Sequence, residues 1–378
     1  MHQDDIDSLV DALNDTASSD ASLRRAPSRL EDWLRTLVSR GGSDLFLVAG
    51  APPSLRIDGT VHPLGEGPLD GQDIEDAVLP VLAPYHRKQY RERHAADLSL
   101  RIDAHHRFRV NLHRERERAA AAIRALPTEV PTLASLRFPM PVDVLARLSR
   151  GLVLICGATG SGKTTTMAAI IGDINQRERR HIVTIEDPIE YEHQHGLSLI
   201  EHQEVGSDVT DFVSALRAAV RQAPDVLVVG EMRDPETMRL ALNAAETGHL
   251  VLSTLHATDV SSAVSRIVDS FPSERQGAVR QELAMALAAV LTQTLIPRAD
   301  GAGRVPAAEL LVASYGARQH VRRNALQHLH QEITITRKLG SFTMEESLAR
   351  LVQQGAIERA DAIGRAAHTE ELEGILGR

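Results

Sequence analysis

Apolar positions in the first third of the chain follow one helix and then a series of short strands. Residues 30–38 carry apolar side chains at the spacing of one helix face, and Gly41 and Gly42 terminate that helix. Alternating segments then predict six strands at residues 44–49, 54–57, 60–64, 97–102, 107–112 and 119–126. Asp58 and Gly59 suit the positive φ angles of a tight hairpin turn. We therefore predict an antiparallel sheet with helices around it.

The middle of the chain has a different pattern, in which apolar strands alternate with helices. Four buried strands are predicted at residues 152–156, 182–185, 226–229 and 250–254. Helices are predicted to begin near Thr164, Asp211, Pro235 and Val260. Such alternation is typical of a parallel sheet that helices cover on both faces.

These patterns predict two folded domains and a tail. Residues 1–28 contain few large apolar side chains and are expected to form a disordered tail. An α+β domain should occupy residues 29–126, a proline-rich linker residues 127–141, and an α/β domain residues 142–378. From residue 275 onward the chain is expected to be mainly helical, with a capping box at Thr343 and Glu346.

Composition and charge exclude several classes of protein. The 378 residues carry a formal net charge of -9, which argues against direct binding of nucleic acid. We expect no membrane-spanning segment and no secretory leader, and hence a protein of the reducing cytosol. The single cysteine, Cys156, ends an apolar strand and is expected to be a buried, unreactive thiol.

A phosphate-loop pattern follows the strand at residues 152–156 and opens a helix. Glycines allow backbone N–H groups to face phosphates, and the helix N-terminus adds its positive dipole end. Lys163 is expected to reach the outer phosphates of ATP, and the Thr164 hydroxyl to bind Mg²⁺. The predicted nucleotide-binding residues are Gly157, Ala158, Thr159, Gly160, Ser161, Gly162, Lys163, Thr164 and Thr165.

Acidic and imidazole side chains occur at the ends of the other apolar strands. Glu186 and Glu231 follow two strands at the sheet edge where ligands bind, so they are candidates to hold Mg²⁺ or to position water. The alternative is that both only cap helices or face solvent. His249 and His256 bracket the strand at residues 250–254, and chemistry alone leaves packing and phosphate sensing equally open for them.

In this order the four blocks resemble the secretion ATPase superfamily: phosphate loop, Asp box at residues 184–190, Gly230-Glu231 and His box at residues 248–256. More narrowly, residues 230–234 and 244–250 are similar to the PilT and PilU motors that retract type IV pili in twitching motility. The resemblance extends from about residue 30 to about residue 357. It implies a PAS-like α+β domain followed by a RecA-like P-loop ATPase domain with a helical C-terminal region, assembled as a hexameric ring.

The resemblance also implies roles for individual residues. ATP would bind between neighbouring subunits, with Glu186 as the catalytic glutamate and Glu231 as the Walker B residue that supports the metal. His249 and His256 would form the His-box pair. Arg109 and Arg124 match the arginines that reach the phosphates of a neighbouring subunit.

The family pattern is incomplete in places, which leaves alternatives open. Glu117, between Arg116 and Arg118, stands where members usually carry a further arginine, and residues 317–324 match the retraction-linked segment of PilT only loosely. A related secretion or DNA-uptake motor and a weakly hydrolysing accessory subunit therefore remain as alternatives, and the PilT or PilU subtype is undecided. The implied partners are an inner-membrane platform protein and a paralogous pilus ATPase. Localisation would be cytoplasmic, with peripheral docking at the inner membrane.

Overall fold

Residues 28–377 are described by a computed structural model, and they divide into two units. The first unit runs to Glu129 and also contains Asp187–His195 and Gln203–Asp211. The second contains Val130–Glu186, Gly196–His202 and the chain from Phe212 onward. Apart from Ser28, the predicted N-terminal tail lies outside the described residues.

The first unit is built on a six-stranded antiparallel sheet in the order β3-β2-β1-β6-β5-β4. Its strands are β1 (Asp44–Val48), β2 (Ser54–Ile57), β3 (Thr60–Pro63), β4 (Ala95–Arg101), β5 (Arg107–Glu115) and β6 (Arg118–Ala125). The six predicted strands are confirmed. Asp58 and Gly59 turn between β2 and β3 with φ of 47° and 80°.

Helices cover the apolar face of this sheet. They are α1 (Ser28–Ser39), α2 (Gly71–Val78) and α3 (Pro84–Arg93), with a short 3₁₀ turn at Leu79–Val81. Along β5, Phe108, Val110 and Leu112 are fully buried in the core. Because side chains alternate across a strand, Arg109 and Asn111 project from the other face.

The second unit contains a seven-stranded sheet in the order β13-β12-β7-β11-β10-β8-β9. Its strands are β7 (Gly151–Cys156), β8 (His181–Glu186), β9 (Leu199–Glu204), β10 (Val226–Glu231), β11 (Leu250–Leu255), β12 (Leu287–Pro297) and β13 (Arg304–Val312). Strands β12, β7, β11, β10 and β8 are parallel, whereas β13 is antiparallel to β12. The predicted parallel sheet is confirmed, and its central strands are buried along their length.

Ten helices complete the described part of the second unit. They are α4 (Lys163–Arg177), α5 (Phe212–Ala219), α6 (Pro235–Glu246), α7 (Val260–Asp269), α8 (Ser273–Ala286), α9 (Tyr315–Arg322), α10 (Leu329–Ile335), α11 (Met344–Gln353), α12 (Arg359–Ile363) and α13 (Thr369–Leu376). Short 3₁₀ turns lie at Asp143–Arg147, Leu326–His328 and Arg337–Leu339. None of the helices between residues 28 and 377 is long and apolar enough to cross a bilayer.

The helical interpretation from residue 275 onward is wrong for two segments. Residues 287–297 and 304–312 form β12 and β13, which extend the sheet beyond β7. Alanine and leucine favour helices locally, but pairing with distant strands overrides that preference. The predicted capping box is confirmed, since Thr343 and Glu346 each accept a hydrogen bond from the other's backbone N–H.

Candidate nucleotide site

The loop between β7 and α4 has the backbone geometry that its glycines permit. Gly157, Gly160 and Gly162 have φ of 150°, 76° and 88°, a region that side chains with a Cβ rarely adopt. Ala158, Thr159 and Gly160 are exposed at the surface of the loop. The loop is therefore an open, backbone-lined concavity at the N-terminus of α4, the arrangement that binds anions.

Strand β12 supports this loop from the side. The Gln293 side-chain amide donates a hydrogen bond of 2.7 Å from Nε2 to the backbone O of Ser161, and both residues are buried. A Cβ added to Gly157 would lie 2.4 Å from the backbone O of Gln293 and 2.4 Å from Ser161 Oγ. Sequence reasoning missed Gln293 because residues 287–297 were expected to be helical.

The loop side chains fit a bound triphosphate. Lys163 Nζ donates to the backbone O of Gly157 and of Ala158 at 3.0 and 2.9 Å, so its ammonium lies against the concavity. Ser161 Oγ is buried and has no hydrogen-bond partner among the described residues. Thr164 and Thr165 are half-buried at the start of α4. The loop thus combines an unpaired buried hydroxyl, a lysine ammonium and a concavity lined by glycine backbone.

Cys156, the last residue of β7, is fully buried beside this loop. Burial raises the pKa of its thiol to about 12, so the residue packs as a small apolar side chain.

Glu186 and Glu231 lie at the ends of neighbouring strands, β8 and β10. Glu186 is buried, with Oε1 3.8 Å from Nδ1 of His202, which also lies 2.9 Å from the Thr184 hydroxyl. Gly230 leaves room between the two strand ends, because a Cβ there would lie 3.3 Å from the backbone O of Ile185, a tight contact. His202 was not assigned a role from the sequence, which shows only a group of histidines near the Asp box.

His256 lies beside Glu231 at the same edge of the sheet as the phosphate loop. It follows β11, which lies between β7 and β10, and its Nε2 is 3.5 Å from Glu231 Oε1. Burial and the positive charge of Lys163 lower the pKa of His256. Arg233 also pairs with the Glu231 carboxylate, at 2.9 Å. The carboxyl edge of the sheet therefore carries a lysine, two carboxylates and an imidazole.

His249 lies elsewhere on the sheet. It precedes β11, so it is at the opposite edge, about 20 Å from His256 for a strand of this length. Its Nδ1 is 2.9 Å from the backbone O of Ala244, and it lines a separate cavity of about 490 Å³ with Arg179 and Asp225. Within one chain, the structure does not bring the two histidines together.

Arg109 and Arg124 lie directly opposite each other on β5 and β6 of the first unit. Arg124 Nε donates to Asp44 Oδ1 at 2.8 Å, and Arg56 lies beside the same carboxylate at 3.4 Å. Arg109 is 3.8 Å from Asp97. The side chains of Arg109 and Arg124 are 41% and 65% exposed, which leaves a positive row on the solvent face of the sheet.

Comparison with known proteins places this geometry in a family. The family model described as Type II/IV secretion system protein matches residues 96–373, well over half of the chain. This chain belongs to that family. Within it, the chain is 39% identical over 342 residues to the type IV pilus ATPase PilU of Pseudomonas aeruginosa, covering 90% of each protein. It is also 39% identical over 337 residues to the retraction ATPase PilT of the same organism, covering 89% of this chain and 98% of PilT.

A solved structure of this family agrees with the fold. The crystal structure of the pilus retraction motor PilT with bound ADP superimposes with a TM-score of 0.82 at 41% identity, covering 91% of this chain and 98% of that chain. The expected mixed α/β fold with a helical C-terminal region is confirmed, as are the PilT/PilU resemblance and the assignment to the ATPases.

Proposed function

We propose that this chain forms a hexameric ring ATPase that couples ATP hydrolysis to type IV pilus retraction, and so to twitching motility. The observation that carries the proposal is the phosphate-loop cradle with Lys163, Glu186, Glu231 and His256 at one sheet edge. The similarity to PilT and PilU over about nine tenths of the chain supports the retraction role.

The side chains of the second unit supply binding and charge. Backbone N–H groups of the loop and Lys163 hold the phosphates, while Thr164 and Glu231 would hold Mg²⁺, partly through water. Mg²⁺ held there would supply positive charge that offsets the charge of the phosphates. Glu186, buried and held near His202, positions the attacking water. His256 lies beside Glu231 and orients that carboxylate.

The first unit supplies positive charge to a neighbouring subunit. Arg109 and Arg124 lie directly opposite each other, and although Asp97 and Asp44 lie near them, their side chains remain 41% and 65% exposed. In the ring, these exposed guanidinium groups contact the phosphates of ATP on the adjacent subunit. ATP binding closes this contact and product release reopens it, because ATP has a higher affinity for the closed state.

The ring is proposed to act in the cytoplasm, docked peripherally at the inner membrane. Its partners there are the type IV pilus platform protein, which receives the force, and a paralogous pilus ATPase. A net charge of -9 supports protein partners rather than direct nucleic-acid binding.

Mass in solution and phosphate release test the proposal together. Wild type is expected to be hexameric with Mg²⁺-dependent turnover, whereas Lys163→Ala should assemble without turnover. A persistent monomer without turnover would contradict the proposal. Complementation of a deletion strain should restore twitching. Restoration of secretion or DNA uptake instead would identify the related class of motor.

A second candidate function, an accessory subunit of a sister motor, is favoured by one residue. Glu117 shares the β5–β6 turn with Arg116, where the two have φ of 64° and 47°, at the place where family members usually carry an arginine. Replacing that positive charge weakens phosphate stabilisation. Turnover that is negligible alone but contributes in a mixture with a paralogue would support this function.

A further inference from the structure

A second cavity lies beside the start of the phosphate loop. It encloses about 390 Å³ and is bounded by Gly157 and Ala158, by β12 and by the C-terminal helices. Thr292, 1% exposed, faces this cavity from β12, and its Oγ1 has no hydrogen-bond partner in the described chain. The cavity therefore contains an unsatisfied buried hydroxyl, and none of Lys163, Glu186, Glu231 and His256 lines it.

Three side chains of metal-ligating types lie together here, and two of them, His330 and Glu345, line the cavity. His330 of α10, Glu345 of α11 and Glu371 of α13 each offer a ligand atom, and these atoms all lie within 4.8 Å of one another. His330 Nε2 is 2.9 Å from Glu371 Oε2. In a tetrahedral zinc site, bonds of 2.0–2.2 Å place ligand atoms about 3.3 Å apart. The 2.9 Å pair is already at this spacing, whereas the full 4.8 Å spread exceeds it, so an ion would draw the three side chains together by up to about 1.5 Å.

Donors outside the cluster occupy one oxygen of each carboxylate, and the other oxygen remains within the cluster. Glu371 Oε1 accepts from the Thr343 hydroxyl at 3.2 Å, which leaves Oε2 facing His330. Glu345 Oε1 accepts from the backbone N–H of His368 at 2.9 Å. Glu345 Oε2 makes no hydrogen bond within residues 28–377. Anchoring of one carboxylate oxygen by a protein donor is the usual second shell of a metal ligand.

The burial of Glu345 distinguishes a cation site from an ordinary ion pair. His330 and Glu371 alone could share a proton, whereas the Glu345 side chain is 1% exposed and its Oε2 accepts no hydrogen bond from the described residues. A divalent cation bridging all three would compensate both carboxylates. The imidazole ligand favours zinc or a similar transition metal over Mg²⁺ or Ca²⁺, which prefer oxygen ligands.

We propose that His330, Glu345 and Glu371 bind one Zn²⁺-class ion, separate from the Mg²⁺ of the phosphate loop. The ring of His368, whose centroid is 4.1 Å from that of His330, lies beside the cluster. The ion links α10, α11 and α13 at the cavity that also borders Gly157. Its role is structural, since it fixes the C-terminal helices next to the nucleotide loop.

Zinc titration of the full chain tests this proposal. Tag-free protein is treated with EDTA, dialysed, and titrated with Zn²⁺ by calorimetry in excess Mg²⁺. Wild type is expected to bind one tight Zn²⁺ per chain and to unfold at a higher temperature with zinc than in EDTA. His330→Gln and Glu371→Gln should each weaken binding by about 10–100-fold or more, on the scale measured for supporting residues of metal sites. The matched control is His328→Gln, whose ring pairs with His320 outside the cluster.

Glutamine preserves hydrogen bonding, so the variants should unfold near the wild-type temperature in EDTA and lose only the gain from zinc. Wild-type affinity in both variants, or no tight zinc in the wild type, overturns the proposal. If the variants do not fold, zinc-edge anomalous diffraction from wild-type crystals decides. A peak bounded by the three side chains supports the site, and no peak there refutes it.

Discussion

Substitution of Gly157 by alanine should separate steric from conformational effects in the phosphate loop. Its Cβ would lie 2.4 Å from the backbone O of Gln293, and Gly157 already has a φ of 150°. Gly160→Ala is the matched control, because Gly160 also has a positive φ, 76°, but has no heavy atom within 4 Å of an added Cβ.

The structure indicates how far the two variants should differ in their free energy of unfolding. Gly160→Ala should lower the free energy of unfolding by about 1–2 kcal/mol, which is the cost of placing a residue with a Cβ in a left-handed backbone conformation. Gly157→Ala adds overpacking of about 1–3 kcal/mol. The Gln293 backbone relieves little of it, since Gln293 pairs with Ala308 of β13 and the preceding Thr292 pairs with Cys156 of β7. A total loss of roughly 2–5 kcal/mol is therefore expected for Gly157→Ala.

Urea unfolding without nucleotide measures both variants, and fluorescence titration with ADP measures their affinity. We expect Gly157→Ala to be less stable than Gly160→Ala and to bind ADP at least about tenfold more weakly, which corresponds to about 1.4 kcal/mol. Equal stability and equal affinity of the two variants would refute the packing of Gly157 against β12.

Four further variants test three other sets of contacts. Gln293→Met removes the donor to Ser161 O and should lower the free energy of unfolding by about 1–3 kcal/mol in thermal or urea melts; no change would contradict the bracing role. Burial raises the pKa of Glu309 from 4.5 to about 7, so its stabilising contribution is full below pH 4.5 and is lost as the pH rises through about 7. In urea unfolding with EDTA, the free energy of unfolding of the wild type should fall by up to roughly 3 kcal/mol between pH 4.5 and 7, and that of Glu309→Gln by much less. If the free energies of both proteins fall in parallel with pH, Glu309 is not the cause of the decrease. Arg124→Ala should reduce turnover on the order of a thousandfold and Arg56→Ala only a few-fold, although both contact Asp44; similar turnover of the two would remove Arg124 from catalysis.

Local patterns predicted the features that depend on neighbouring residues. The turn at Asp58, the phosphate loop and the capping box at Thr343 each follow from a few adjacent residue types, and the structure contains them. The parallel strands were also predictable, because a buried strand between two helices is a continuous apolar run.

Non-local pairing explains what the sequence did not reveal. Strand β12 is rich in leucine and alanine, and only its pairing with β7 and β13 makes it extended. Gln293 reaches Ser161, 132 positions away, solely through that pairing. The cluster of His330, Glu345 and Glu371 likewise comes from three separate helices, with no motif in the sequence.

A mixture of two inactive variants tests the shared nucleotide site most directly. Lys163→Ala subunits keep Arg124, and Arg124→Ala subunits keep the phosphate loop. In a mixed ring with head-to-tail contacts, about a quarter of the interfaces should contain both intact groups. After subunit exchange, the account predicts phosphate release well above that of either variant alone. Turnover of the mixture equal to the average of the separate variants would contradict a site completed by the neighbouring subunit.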